Sequence, residues 1–281
     1  LAFSKGLQYL SVDKSNFGLF LDSSPDRWGR VLLRRRDAAL ARLEKRAPNN
    51  LTELDFLLGV FDGNRMGGLR FKQTMDGPFL DDNKQYAVPA WTSLRELAQI
   101  ILRLEHEEVQ TDPEYLHWLN LLVAPGSSLG GARPKASVAD EKGHLWIAKF
   151  PSGLDTFDVG GWEMVTYRLA KKAGILMADS KAEIYSKGQH TFLSKRFDRT
   201  SLGKRKHFAS AMTLLGYSDG QDGASYLELA DFIIMQGANV FADLSQLYRR
   251  IAFSIAVSNV DDHLRNHGFL WDKLGWVLSP A

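Results

Sequence analysis

The stretch VSNVDDHLRNHGF, Val257 to Phe269, decides how the rest of the chain is interpreted. It ends a long apolar segment, residues 240–259, whose pattern predicts a helix, and it leads into a predicted hairpin over residues 267–280. The polar loop between these elements places Asp261 five residues before Asn266. A carboxylate can accept a hydroxyl proton, and a neutral amide oxygen can bind Mg²⁺, which prefers oxygen ligands. The loop is therefore a candidate catalytic loop.

The D-x-x-x-x-N spacing is the one by which protein-kinase-type enzymes place a catalytic base and a magnesium-binding asparagine, so a kinase is the leading hypothesis. Two alternatives stay open. His263 and His267 are four residues apart and could share one helix face as metal ligands, which would favour a metal-dependent hydrolase. The stretch could also be a solvated loop without a catalytic role.

Composition narrows the class of protein. The 281 residues are 44% hydrophobic, which predicts a folded chain with substantial cores. A net charge of +2 gives no electrostatic argument for binding nucleic acid or a membrane. The absence of cysteine excludes disulfides and thiolate zinc sites, and no apolar run reaches the length of a membrane span. We predict a cytoplasmic protein without a membrane partner, and the first residue, Leu1, together with the ending LSPA, predicts a fragment of a longer chain.

The order of the predicted elements gives a fold class. Residues 1–197 are expected to form a mixed part with a small antiparallel sheet, a phosphate loop, a lysine-bearing strand and a hinge. Residues 198–281 are expected to form a mainly helical C-terminal lobe that carries the catalytic loop. This is the outline of an α+β, two-lobed, protein-kinase-like fold.

A lysine stands out on one predicted strand, His144 to Phe150, with the sequence HLWIAKF. Alternation puts Lys149 on the face opposite Trp146, Ala148 and Phe150. A lysine on an otherwise apolar strand needs a partner, and a nucleotide phosphate is a suitable one. Glu163, near the start of the next predicted helix, could hold it in place. The alternative is an exposed strand lysine and an unpaired helix glutamate.

Two further segments could contact a nucleotide. GSSLGGARPK, residues 126–135, is predicted to be irregular, with N–H groups that can turn towards an anion and with charges from Arg133 and Lys135. Its Ser127 and Ser128 are candidate phosphorylation sites. SKRFDR, residues 194–199, ends a predicted strand where a hinge would offer the backbone of Lys195 and Phe197 to adenine, unless Phe197 is simply a core residue.

Taken in order, these segments resemble the HipA-like serine/threonine kinase family over residues 22–281. The motifs that carry the resemblance are SPDRWGR, SLGGARPKA, WIAKFPS, the helix with Glu163, KRFDR, NVDDHLRNHGFL and LSPA. The resemblance implies ATP and Mg²⁺ as cofactors. It also implies roles for individual residues: Asp261 as catalytic aspartate with His263 beside it, Asn266 on magnesium, Lys149 and Lys135 near the phosphates, Lys195 and Phe197 at adenine, and Ser128 as the autophosphorylated serine.

The resemblance further implies a toxin of a toxin–antitoxin module. Its partners would be a helix-turn-helix antitoxin, DNA indirectly through that antitoxin, and a substrate protein of the translation apparatus. In the family, LSPA is followed by Tyr-Asp, and that aspartate binds magnesium, whereas this sequence ends at Ala281. A pseudokinase, or a co-repressor subunit of an antitoxin–DNA complex, is therefore the alternative. HFASAMTLLG, residues 207–216, also differs from the acidic version expected in the family, which leaves the substrate open.

Overall fold

The structure is a computed structural model, and it describes residues 18–80, 91–126, 131–186, 188–218 and 220–281. The helices are α1 (Arg27–Leu43), α2 (Glu53–Leu58), α3 (Leu94–Leu104), α4 (Tyr115–Gly126), α5 (Val159–Lys172), α6 (Ala211–Leu215), α7 (Tyr226–Gln236) and α8 (Val240–Ala256). The strands are β1 (Lys135–Ala139), β2 (Leu145–Lys149), β3 (Ser180–Ser186), β4 (Gln189–Lys195), β5 (Phe208–Ser210), β6 (Gly268–Asp272) and β7 (Gly275–Leu278). Within the described ranges, no helix is long and apolar enough to cross a membrane.

The first sheet is antiparallel, with the strand order β1-β2-β4-β3. Its apolar face packs against α1, α3 and α4 in a core that includes Leu32, Ile101, Leu119 and Phe150, none more than 1% exposed. Lys149 points away from this core, as the alternation of HLWIAKF predicts. The pairing register sets Lys135 of β1 opposite Lys149 of β2, so two lysines meet at one edge of the sheet.

The segment predicted to be irregular, residues 126–135, is bounded differently in the structure. Gly126 ends α4, and Lys135 is the first residue of β1, a strand that the sequence did not reveal. Ala136, Ser137 and Val138 are all fully buried, because both faces of β1 are covered. Its sequence, KASVA, does alternate polar and apolar residues, but the strand is only five residues long and directly follows a segment rich in glycine with a proline, which predicts irregular structure.

The second sheet, with the order β5-β6-β7, packs against α7 and α8 in a separate core around Ile233, Leu247 and Phe269. The hairpin of β6 and β7 turns between Asp272 and Gly275, as the sequence predicts. Strand β5 was not predicted. The boundary between residues 197 and 198 stays a prediction, although the first sheet does end at Lys195 and the second begins at Phe208.

Helix α5 is held on strand β4 by an unusually close approach at Gly160. A Cβ atom at this position would lie 2.0 Å from the carbonyl oxygen of His190. The side chain of Asp158, the N-cap of α5, accepts hydrogen bonds from Gly161 N at 3.0 Å and from His190 N at 2.9 Å. Only glycine at residue 160 allows this contact, which fixes the start of the helix that carries Glu163.

Gly160→Ala is expected to lower the free energy of unfolding by about 1–3 kcal/mol, because an added methyl group must displace backbone rather than a flexible side chain. Intrinsic helix propensity alone would predict the opposite effect, because alanine is more favourable than glycine within a helix by about 1 kcal/mol. Urea denaturation measures the change. Arg168→Ala, on the exposed face of the same helix, is the control and should stay within about 0.5 kcal/mol of the parent protein. A Gly160→Ala variant as stable as the parent would contradict the close contact.

Candidate active site

The loop that carries Asp261 and Asn266 is closed by its own hydrogen bonds. After α8 the chain runs through Asp261 to a 3₁₀ turn, Leu264–Asn266, and enters β6. Asn266 Nδ2 donates to the carbonyl oxygen of Asp261 at 2.7 Å, and Asn266 N donates to the carbonyl of His263 at 2.8 Å. Because the carbonyl can only accept, the amide nitrogen of Asn266 faces it, and the amide oxygen is left to face the cavity that Asn266 lines.

Asp262 stabilises this loop through two side-chain contacts. Its carboxylate accepts from Tyr226 OH at 2.6 Å and pairs with His267 Nε2 at 3.1 Å. The hydrogen bond to Asp262 raises the pKa of Tyr226 to about 12. Burial alone raises the pKa of Asp262, but the bonds from His267 and Tyr226 outweigh it and hold that pKa below its usual value. Asp262 is thus an ionised support for the loop.

His263 and His267 do not share a helix face, the arrangement that the alternative of a metal-dependent hydrolase requires. The backbone is extended at both residues, and only the short 3₁₀ turn lies between them. His267 is 4% exposed and engaged with Asp262, while His263 is exposed beside the cavity. Within the described residues, no group of three or more His, Cys, Asp or Glu side chains is arranged to hold a metal ion.

Lys149 and Glu163 form an ion pair between β2 and α5. Lys149 Nζ contacts Glu163 Oε1 and lies 5.5 Å from the centroid of the Phe192 ring. Both charged side chains are about one third exposed, so the pair faces solvent on one side. The pair therefore holds the ammonium group at the mouth of a cavity rather than in the core.

Lys135 lies deeper than Lys149. It is 4% exposed, and burial, followed by the neighbouring charge of Lys149, lowers its pKa to about 8. Its carbonyl oxygen accepts from Trp28 Nε1 at 2.9 Å, which ties the start of β1 to α1. Two ammonium groups therefore lie side by side at this edge of the sheet.

Asp26, which sequence reasoning did not single out, bridges the two sides of the site. Its Oδ2 accepts from Gly131 N at 2.6 Å and pairs with Arg265 Nη1 at 3.0 Å. Trp28 N donates in turn to the carbonyl of Gly131 at 3.2 Å. Burial raises the pKa of Asp26, but the Gly131 N–H and the charge of Arg265 outweigh it, so the pKa lies below its ordinary value. One carboxylate thus holds Gly131 beside the candidate catalytic loop.

These side chains surround two neighbouring cavities. The first, of about 560 Å³, is lined by residues that include Asp26, Lys135, Lys149, Asp261 and Asn266. The second, of about 780 Å³, shares Lys149, Glu163, Asp261 and Asn266 with the first. The structure therefore brings together the candidate base, the candidate metal-binding amide and both candidate phosphate lysines.

Comparison with known proteins gives the family. Residues 127–281, more than half of the chain, match the family described as HipA-like C-terminal domain. The chain belongs to this family. It is also 27% identical over 169 residues to a Haemophilus influenzae protein named "Putative kinase", a match that covers 53% of this chain and 49% of that protein. The chain thus spans about half the length of this curated relative.

The fold of this HipA-like chain is similar to a solved toxin–antitoxin structure from Shewanella oneidensis, described as HipA, HipB and its operator DNA complex. The TM-score is 0.61 at 18% identity, covering 94% of this chain and 62% of that one. This likeness confirms the predicted α+β, kinase-like fold. The structure of the Helicobacter pylori proinflammatory kinase CtkA is matched with a TM-score of 0.37 at 20% identity, over 54% of this chain and 53% of that one.

The predicted hinge of this HipA-like chain lines neither of the two cavities that surround Lys149 and Asp261. Lys195 N already donates to the carbonyl of Asp179 at 2.7 Å, so this N–H is not available to adenine. The Phe197 ring is partly buried and lies 5.8 Å from the Phe208 ring. Contacts of adenine with the Lys195 carbonyl and the Phe197 N–H stay a prediction.

The glycine-rich segment contributes less charge than its sequence indicates. Arg133 is paired with Asp155, with Nη1 to Oδ1 at 3.0 Å, so it does not offer a free cation to an anion. Asp155 also accepts from Ser152 N at 2.8 Å. Ser127 and Ser128, the candidate phosphorylation sites, lie outside the described residues.

Asp26→Asn should lower the free energy of unfolding by about 1–2 kcal/mol at pH 7, because charge-assisted bonds to Gly131 and Arg265 are lost. Because folding lowers the pKa of Asp26, its carboxylate makes its full contribution to the free energy of unfolding at pH values above 3.8, the pKa of the unfolded chain. That contribution is lost as the pH falls through the lower pKa of the folded protein. The difference between variant and parent should therefore shrink only below about pH 4.

Urea denaturation at several pH values measures this difference. The exposed Asp222→Asn is the matched control and should leave stability unchanged at each pH. Equal stability of Asp26→Asn and the parent protein at pH 7 would show that the bridge contributes nothing to the fold.

Proposed function

We propose that this HipA-like protein is an ATP-dependent kinase that phosphorylates serine or threonine hydroxyls. The observation that carries the proposal is the meeting of Asp261, Asn266 and the Lys149–Glu163 pair at one cavity. A positioned base, an oxygen ligand for magnesium and a glutamate-held lysine are the parts that kinase-type phosphoryl transfer requires. The name of the Haemophilus influenzae relative and the fold support the same activity.

In this proposal Asp261 orients the acceptor hydroxyl and takes its proton. The hydroxyl oxygen forms a new bond to the γ-phosphorus of ATP while the bond from that phosphorus to the bridging oxygen of ADP breaks. Lys149, held by Glu163, contacts the phosphates, and Lys135 lies behind it. Catalysis comes mainly from positioning and from charge placement, because this transfer needs little covalent participation by the protein.

The residues at the cavity fit magnesium. Asn266 lines the cavity, and its amide oxygen is not used by the bond that its amide nitrogen donates to the Asp261 carbonyl, so it can serve a hard cation that prefers oxygen ligands. Asn266 would hold the ion, which would neutralise charge on the phosphates, while Asp261 stays the base. His263, exposed on the wall of the same cavity, would lie beside the acceptor.

The remaining assignments extend the same proposal. Adenine would contact the carbonyl of Lys195 and the N–H of Phe197, with residues 1–197 and 198–281 acting as the two lobes. Ser128 would be the autophosphorylated serine. The related Shewanella oneidensis protein is in a complex with HipB and operator DNA. We propose a similar arrangement here, in which a helix-turn-helix antitoxin binds this protein and connects it to DNA, and the substrate is a protein of translation.

Asp261→Asn tests the role of the base. The substitution keeps the size of the side chain and removes its ability to accept a proton, so transfer should fall by about 10²-fold or more while ATP affinity changes little. Incorporation of labelled phosphate from ATP measures transfer, and calorimetry measures binding. Intact mass with Ser128→Ala as a reference shows whether Ser128 is the autophosphorylated residue.

Asp231→Asn, an exposed carboxylate on α7, is the matched control and should retain transfer. Full transfer by Asp261→Asn would remove Asp261 from its role. ATP binding without any transfer in the parent protein would instead identify a pseudokinase.

A further inference from the structure

A second charged site lies where the first sheet leads into the second half of the chain. Five arginines and two aspartates form one hydrogen-bonded group, here called the arginine cluster: Arg65, Arg70, Arg196, Arg199, Arg205, Asp62 and Asp198. Asp198 is fully buried, and Arg196 is 4% exposed. These residues come from two distant segments, 62–70 and 196–205. None of them lines either of the two catalytic cavities.

Each carboxylate in the arginine cluster is shared by two guanidinium groups. Asp198 Oδ2 pairs with Arg196 Nη2 at 2.7 Å and with Arg199 Nη1 at 2.6 Å. Asp62 Oδ2 pairs with Arg70 Nη2 at 2.6 Å and with Arg205 Nη2 at 3.2 Å. The fifth guanidinium group, that of Arg65, is held by carbonyl oxygens such as those of Ser23 and Leu57. Five positive charges therefore face two negative ones.

Backbone carbonyls satisfy hydrogen bonds in the arginine cluster, but they carry no net charge to neutralise it. Arg199 Nη2, for example, donates to the carbonyl of Arg65 at 2.9 Å. Burial lowers the pKa of Arg199 to about 10, and the charges of Arg196 and Arg205 add to this against the opposing pull of Asp198. The pKa of Arg205 is lowered in the same way. At neutral pH both groups stay protonated, so the excess charge remains and favours a bound anion.

The arginine cluster opens to solvent through a cavity of about 530 Å³. Arg199 and Arg205 face each other there across a β-bridge, and the side chain of Arg199 is only 7% exposed. The residues that line the cavity include the basic Lys195, Arg199 and Arg205, the hydroxyl residues Thr200 and Ser201, and Asp179. Asp179 is the one carboxylate among these lining residues, so the wall of the cavity is predominantly basic.

We propose that this cavity binds a small phosphate-bearing molecule at a site separate from the catalytic cavities. A phosphate group carries charge of the sign that offsets the excess of the arginine cluster, and its oxygens can accept from the Lys195 ammonium group and from the hydroxyls of Thr200 and Ser201. A single carboxylate would offset less of the charge and offer fewer acceptors. The site does not depend on the proposed kinase activity.

Titration with inorganic phosphate, at constant ionic strength maintained with chloride, tests the proposal in the purified protein. Phosphate should show saturable binding in calorimetry, and it should raise the unfolding temperature progressively, because it binds the folded state. Lys195→Gln should weaken phosphate binding by about tenfold, measured by calorimetry, because one charge-assisted contact is lost. Lys273→Gln, an exposed lysine in the turn between β6 and β7, is the matched control and should leave binding unchanged.

Phosphate could also bind in the catalytic cavity, so the titration is repeated in Lys149→Gln. Retention of saturable binding in Lys149→Gln, together with binding weakened by about tenfold in Lys195→Gln, supports the proposed site. Loss of saturable binding in Lys149→Gln alone would place phosphate in the catalytic cavity and overturn the proposal. Absence of saturable binding in the parent protein would overturn it as well. Circular dichroism of Lys195→Gln without phosphate verifies that the variant is folded.

Discussion

The structure depends on a fully buried carboxylate, that of Asp198, at the junction of its two sheets. Asp198 accepts from Gly67 N at 2.8 Å and pairs with Arg196 and Arg199, so it fastens the chain after β4 to the segment after α2. Its pKa lies below the ordinary value: burial raises it, but the two guanidinium groups outweigh burial. An ionised group in this position is tolerated only while its partners stay in place, since breaking a buried pair destabilises a protein by about 3–5 kcal/mol. The junction is thus a rigid point rather than a free linker.

The candidate site is assembled from elements that are far apart in the sequence. Strand β2 and helix α5 supply Lys149 and Glu163, while the loop after α8 supplies Asp261 and Asn266. Asp26 then connects the two sides directly, through Gly131 and Arg265. Since each functional side chain is held by its own element and one carboxylate bridges the loops, the cavity does not rely on any single contact for its shape.

The sequence predicted the parts of this site that have local signals. The spacing of Asp261 and Asn266 and the alternation of HLWIAKF are local, and both agree with the structure. Asp26 could not be found in this way, because its partner Gly131 is 105 residues away and only the fold brings them together. The same applies to the arginine cluster, whose two segments are more than a hundred residues apart. Strand β1 was missed because the glycines and Pro134 directly before it predicted irregular structure, although Lys135 to Val138 do alternate polar and apolar residues. The four-residue spacing of His263 and His267 does not correspond to a shared helix face, because the backbone is extended at both residues.

The two basic sites differ in how their charge is compensated, and this predicts different ligands. In the candidate catalytic cavity, Asp26, Glu163 and Asp261 line the same space as Lys135 and Lys149, and Glu163 pairs directly with Lys149. A cavity that presents charges of both signs suits a nucleotide that carries a divalent cation, because the phosphates and the cation can each meet a charge of opposite sign. In the cavity beside the arginine cluster, Asp179 is the one carboxylate in the lining, and the aspartates behind it are each shared by two arginines. This second cavity therefore favours an anion without a metal ion.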